Sequence, residues 1–137
     1  MHDRNVGARQ NLIESRSHAL GKCLCILECD DFWRDPQKLK RQVDFLESSP
    51  DYSVCYHDSN VVDESCNLIR DHEFDVRRDW PEAEMVAGKG FATTNSAVLR
   101  NLTTNDHKRF EVYNGDTLRW HLLEFYGKCK YIDDFMR

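Results

Sequence analysis

The chain has no apolar stretch able to cross a bilayer: the longest, residues 23–27, stops at Glu28, well short of the roughly 20 residues a spanning helix needs. It has no excess of base either. Acids outnumber Lys plus Arg by 24 to 19 and the basic residues are scattered, which leaves no electrostatic footprint for nucleic acid or an anionic surface. The first residues, Met1-His2-Asp3-Arg4-Asn5, lack the apolar core of a secretory signal. The six cysteines therefore read as reduced thiols of a cytoplasmic chain, free or peripheral to the inner face of the membrane. Cys23, Cys25, Cys29, Cys55, Cys66 and Cys129 also lack the two close pairs of a structural zinc site. Cys23 and Cys25 share one face of an expected strand and are expected as small buried hydrophobes. The six histidines include no HExxH and no close pair, so each is expected to be solvated or hydrogen-bonded. With no repeat, low-complexity tract or linker, residues 1–137 read as one domain.

The patterning is that of an α/β chain. Residues 7–20 read as a helix stopped by Gly21. Residues 22–31 form an apolar run ended by acids, the pattern of a strand buried on both faces. Asp35-Pro36 is a helix start, with the acid at N-cap and the proline at N1. Leu39, Val43 and Leu46 follow at helical spacing until Ser48-Ser49-Pro50. Residues 52–56 and 60–62 read as strands, with Asp63-Glu64-Ser65 turning into 66–69. Residues 70–81 read as an exposed loop. A short helix near 82–87, a strand near 95–99, a helix from Asp116 with Leu118, Leu122, Leu123 and Phe125 inward, and a last strand near Tyr131 complete the order.

Ligands in open α/β sheets sit beyond the carboxyl ends of strands, where loops converge on a rigid floor. Asp30 and Asp31 occupy such an end, and paired carboxylates are hard oxygen ligands suited to Mg²⁺ or Mn²⁺. Around them runs a long string: Asn5-x-Gly7, Ala19-x-Gly21-Lys22, then Glu28-x-Asp30-Asp31-Phe32-Trp33-x-Asp35-Pro36-x-Lys38-Leu39-x-x-Gln42-Val43-x-Phe45-Leu46. It continues in Pro50-Asp51-Tyr52-Ser53-Val54-Cys55, Thr94-x-Ser96-x-x-x-Arg100 and Gly115-Asp116. This string closely resembles the family 2 glycosyltransferases, whose nucleotide-sugar domain carries an x-D-D version of the D-x-D motif followed by a W-x-x-P-x-K-L-x-x-Q-x-x-F-L helix.

The resemblance implies a GT-A fold, a Rossmann-like α/β architecture. It also implies an inverting transfer of a single sugar from a nucleotide-diphosphate donor to a glycan or other hydroxyl acceptor. Asp31, helped by Asp30, would hold the divalent ion that neutralises charge on the leaving diphosphate. Asp116 would take the acceptor proton as catalytic base, or else serve only as a helix N-cap. Trp33 and Phe32, with Thr94 and Ser96, would line the sugar subsite, or the aromatics would be core. Two departures from the family pattern stand out: the first β-strand, helix and second strand that grip the nucleotide base are not here, and the Q-x-x-R-W motif of processive members is absent. The fold class is thus a partial GT-A domain. The alternative is a non-catalytic binding module that keeps the fold without donor binding.

Overall fold

The computed structural model describes residues 4–73, 75–87, 92–101 and 127–133. In chain order these form α1 (Ala8–Ser17), β1 (Cys23–Cys25), α2 (Lys38–Ser48), β2 (Tyr52–Tyr56), β3 (Val61–Val62), β4 (Leu68–Arg70), α3 (Glu82–Val86), β5 (Val98–Arg100) and β6 (Lys128–Tyr131). The architecture is mixed α/β. Among the described residues no helix is long and apolar enough to cross a membrane.

The main sheet has the order β1-β5-β2-β6. β5 runs antiparallel to both β1 and β2, and β6 runs parallel to β2. β1, β2 and β6 therefore point the same way. Their carboxyl ends meet the start of β5 along one end of the sheet. β3 and β4 pair as a separate hairpin, closed by Asp63, whose Oδ1 accepts from the Ser65 and Asn67 amides.

β2 is central because its aromatic and β-branched residues fit a pleat covered on both sides. One face carries Cys55, packed with Val98 and with Leu46 of α2. The other carries Val54 and Tyr56, packed with Trp80, Ala92, Ala97, Leu99 and Cys129. At the start of β6, Gly127 adopts φ +147°, and a Cβ there would lie 2.6 Å from the Asp51 carbonyl oxygen. Only glycine lets the two backbones approach this closely.

Several expectations are corrected. The run at 22–31 is not a strand buried on both faces: only residues 23–25 are extended, and they are partly exposed. β1 has β5 on one side and, among the described residues, no strand on the other, while α2 packs on β2 and β5. Cys25 is accordingly exposed and Cys23 half-buried, whereas Cys55 and Cys129 are the buried thiols. α1 ends at Ser17, before Gly21, because the Ser17 hydroxyl and the His18 ring engage the Glu14 carbonyl. α2 begins at Lys38, with Gln37 at its N-cap making no side-chain cap bond. Asp35 still organises this start, accepting from the Gln37 amide at 2.7 Å. The buried face of α2 is Lys38, Gln42 and Leu46, while Leu39 is exposed. The segment before Pro81 is not wholly exposed: Trp80 is buried and bridges to Cys129. The expected helix from Asp116 lies outside the described residues.

Candidate functional site

Glu28, Asp30 and Asp31 follow β1 in a tight turn, where the Asp31 amide donates to the Glu28 carbonyl at 3.2 Å. One carboxylate oxygen from each lies within 4.8 Å of the others; Glu28 and Asp30 are exposed and Asp31 is half-buried. A hexacoordinate ion with metal–oxygen distances of about 2.1 Å needs neighbouring ligand oxygens about 3.0 Å apart, so the three carboxylates would have to close on the ion. The donor set fits Mg²⁺ or Mn²⁺.

Trp33, two residues on, is anchored: its indole N–H donates to the Asn95 carbonyl at 2.8 Å, and the Lys38 ammonium sits 4.5 Å above its ring. Lys38 is 1% exposed and donates to Gln42 Oε1 at 2.8 Å. The Gln42 amide in turn donates to the carbonyls of Ser96 at 2.9 Å and Cys55 at 3.2 Å. Burial pulls the Lys38 amine down to about 8, the neighbouring Cys25 and Cys55 acting weakly the other way. Trp33, Lys38 and Gln42 thus form an inward latch across the loop after β1, α2, β2 and the turn before β5. Phe32, by contrast, is 54% exposed.

Residues 93–96 make the turn into β5. Ser96 is fully buried, its hydroxyl donating to the Thr93 carbonyl at 3.0 Å, while Thr94 is half-buried. The structure therefore brings Asp30, Asp31, Trp33, Thr94 and Ser96 to one end of the sheet. Asp116 lies outside the described residues.

The motif reading missed a second group at this end, on the strand beside β5. His57 and Asp58 follow β2 directly and both are buried. The Asp58 carboxylate accepts from the Ser59 and Glu73 amides at 2.8 and 2.9 Å and from His72 Nδ1 at 2.8 Å, and Arg77 approaches it at 3.5 Å. Glu73 is half-buried. Burial, and then the charges of Asp31 and Asp58, push its carboxyl upward, while the Arg70 charge and then the Thr93 hydroxyl draw it partly back. His57 faces the Asp58 carbonyl with Nδ1 at 2.6 Å; a carbonyl only accepts, so Nδ1 carries the proton and Nε2 is an acceptor. That Nε2 is buried without a partner, as are Asn60 Oδ1 and Asn95 Oδ1. Burial pulls the His57 ring down to about 4. The signal for Asp58 was in the sequence: it is an acid two residues past the strand pattern at 52–56, as Asp30 and Asp31 follow the apolar run at 23–27.

No family model matches the chain, and no solved structure matches it. At 36% identity over 105 residues it is similar to an uncharacterized protein of Mycobacterium bovis and to uncharacterized proteins of two strains of Mycobacterium tuberculosis. Each match covers 74% of this chain and 30% of the relative. The chain thus spans under a third of the length of the curated relatives it matches.

Proposed function

We propose that this chain is the cation-binding and acceptor-side part of an inverting, GT-A-type glycosyltransferase that uses a nucleotide-diphosphate sugar. The observation that carries the reading is the Glu28, Asp30 and Asp31 carboxylate group at the end of the sheet where the parallel strands β1, β2 and β6 finish. This is the position open α/β sheets use for ligands. The resemblance of the surrounding string to family 2 glycosyltransferases narrows the ligand to a nucleotide-diphosphate sugar. The free edge of β1 among the described residues gives a place for the nucleotide-gripping strands that the resemblance implies.

Asp31, with Asp30 and Glu28, would hold Mg²⁺ or Mn²⁺. When bound, the ion supplies Lewis-acid and electrostatic stabilisation of the leaving diphosphate. The chain's own residues do the rest. The Trp33–Lys38–Gln42 latch fixes the acidic loop against the turn before β5, and that turn carries Thr94 to the same end. Asp116 would accept the proton of the acceptor hydroxyl as it attacks the anomeric carbon from the face opposite the nucleotide, which is what inversion requires.

Calorimetric titration of the chain with Mn²⁺ and uridine diphosphate tests the assignment. Asp31→Ala should abolish the Mn²⁺-dependent binding while the melting temperature changes little, because a half-buried strand-end acid does little packing. Equal Mn²⁺-dependent affinity in variant and parent would remove Asp31 from the site.

A further inference from the structure

We propose that the chain returning from the β3–β4 hairpin to Trp80 is a strap with one fixed and one releasable end. Bolted to β2 and β6 at Arg78, Asp79 and Trp80, it is buckled by the Asp58 carboxylate at His72, Glu73 and Arg77, and it opens from the Asp58 end while the sheet stays folded. Opening uncovers His57. The device requires no cation, so it holds or fails independently of the reading above.

The two ends are held differently. At the fixed end the Trp80 amide and carbonyl exchange hydrogen bonds with the Cys129 backbone at 2.9 and 3.0 Å. Trp80 is buried, its indole donates to the Tyr56 hydroxyl, and that hydroxyl donates to the Arg78 carbonyl at 2.9 Å. The Asp79 carboxylate accepts the Tyr131 amide at 3.0 Å. Releasing this end breaks the core. At the other end, three groups of the strap converge on one side chain. Asp58 is 5% exposed; its Oδ1 accepts the Glu73 amide at 2.9 Å, and its Oδ2 accepts the His72 ring N–H at 2.8 Å and lies 3.5 Å from the Arg77 guanidinium. The Glu73 carboxyl also meets the Thr93 hydroxyl, on the turn before β5. Between the ends, residues 75–78 are exposed. Opening therefore gives up polar ties and little apolar burial, the condition for a segment that opens below the stability of the whole. The closed state carries a cost of its own. His57 Nε2, Asn60 Oδ1 and Asn95 Oδ1 are buried without partners, each within two residues of a tie point at Asp58 or Thr93. A buried acceptor without a donor is destabilising, and water that reaches it on opening restores its hydrogen bond. A charge-assisted buckle is thus set against orphaned acceptors beside it.

The test uses the full chain at pH 7 with no ligand added. Hydrogen exchange, resolved to single amides by mass spectrometry, reads Glu73 at the buckle against Trp80 and Cys129 at the bolt. Acylation by diethyl pyrocarbonate, mapped by peptide, reads access to the His57 ring, which burial keeps unprotonated at this pH. In the parent, Glu73 should exchange at least about tenfold faster than Trp80 and Cys129. Asp58→Asn keeps the Oδ1 acceptor but turns an amide donor toward His72 and Arg77. It should speed Glu73 exchange and His57 acylation by about tenfold or more, the weight of one charge-assisted hydrogen bond, and leave exchange at Trp80 and Cys129 unchanged. Arg77→Gln, at a side chain 37% exposed, weakens the buckle from its surface side and should act in the same direction even if Asp58→Asn fails to fold. One common exchange rate at Glu73, Trp80 and Cys129 in the parent means that the segment opens only with global unfolding, and it overturns the strap. A rise at all three together in the folded variants, or faster Glu73 exchange with His57 acylation unchanged, overturns it as well.

Discussion

Lys38 gives the most direct check on the latch. Its ammonium is buried under Trp33 with Gln42 Oε1 as its hydrogen-bond acceptor, and burial lowers its proton affinity from the ordinary 10.5 to about 8. At about 1.4 kcal/mol per pH unit, that difference makes the charged amine cost the fold roughly 3 kcal/mol at neutral pH. The unfolded chain holds the proton up to 10.5 and the folded chain releases it near 8. Stability from this group is therefore flat below pH 8 and rises between 8 and 10.5. Lys38→Met keeps the volume, removes the buried charge and leaves Gln42 Oε1 without a donor, a loss of about 1–3 kcal/mol. The two effects nearly cancel at pH 7. The pH dependence does not cancel. Urea unfolding of parent and variant at pH 7.5 and 10.5 should show the parent gaining about 3 kcal/mol relative to the variant. Taking the difference matters, because Cys55, which burial pushes up to about 12 from 9.0, acts with the opposite sign in both proteins: the folded chain keeps that proton longer, so stability falls as pH rises above 9. Parallel profiles for parent and variant would refute the placement of the amine.

His57 acts at the acid end. Its ring titrates at 6.5 when free and near 4 when folded, so its contribution is full above 6.5 and is lost as pH falls toward 4; His57→Gln should flatten that part of the urea-midpoint profile. Gly127→Ala forces a Cβ to 2.6 Å from the Asp51 carbonyl at a positive φ and should cost more than about 2 kcal/mol, read as a lowered melting temperature. Tyr56→Phe removes the hydroxyl that accepts the Trp80 indole at 2.9 Å and donates to the Arg78 carbonyl; leaving a buried N–H unpaired should cost about 1–3 kcal/mol in the same assay.

The legible parts of the fold are those whose pattern is local. β2, the β3–β4 hairpin and β6 follow from aromatic and β-branched residues between turn signals, and α2 follows from Leu46 and Val43 at helical spacing. The same periodicity, read from Leu39, Val43 and Leu46, does not pick out Lys38 and Gln42, which with Leu46 form the buried face of the helix. Their burial is compensated by Trp33 and by the carbonyls of Cys55 and Ser96, and no helical period encodes partners that come from other segments. Residues 22–27 show the converse. A continuous apolar run says that a segment tolerates burial, not how many neighbours it has, and β1 is partly exposed. For the site, the acids after β1 were visible because strand-end acids are local, and Asp58 after β2 obeys the same rule. Its partners His72, Glu73 and Arg77 lie across a hairpin and were invisible to it.

Among the motif residues, the buried ones act by holding and the exposed ones are available to bind. Trp33, Lys38 and Gln42 turn inward, and each bonds or stacks on a different segment of the sheet end. Glu28 and Asp30 remain exposed, and Asp31 sits between the two sets. A cation site needs both properties: backbone fixed closely enough to set the ligand oxygens, and side chains free to close on the ion. The buried amine of Lys38 lies in the middle of this arrangement, where an apolar side chain of equal volume would relieve its desolvation. Such a side chain would also leave the Trp33 ring without its cation and Gln42 without the donor that orients its amide toward Ser96. The electrostatic penalty and the geometry of the acidic loop therefore trace to the same side chain. Substitutions at Lys38 should accordingly disturb Mn²⁺ affinity more than they disturb stability at neutral pH.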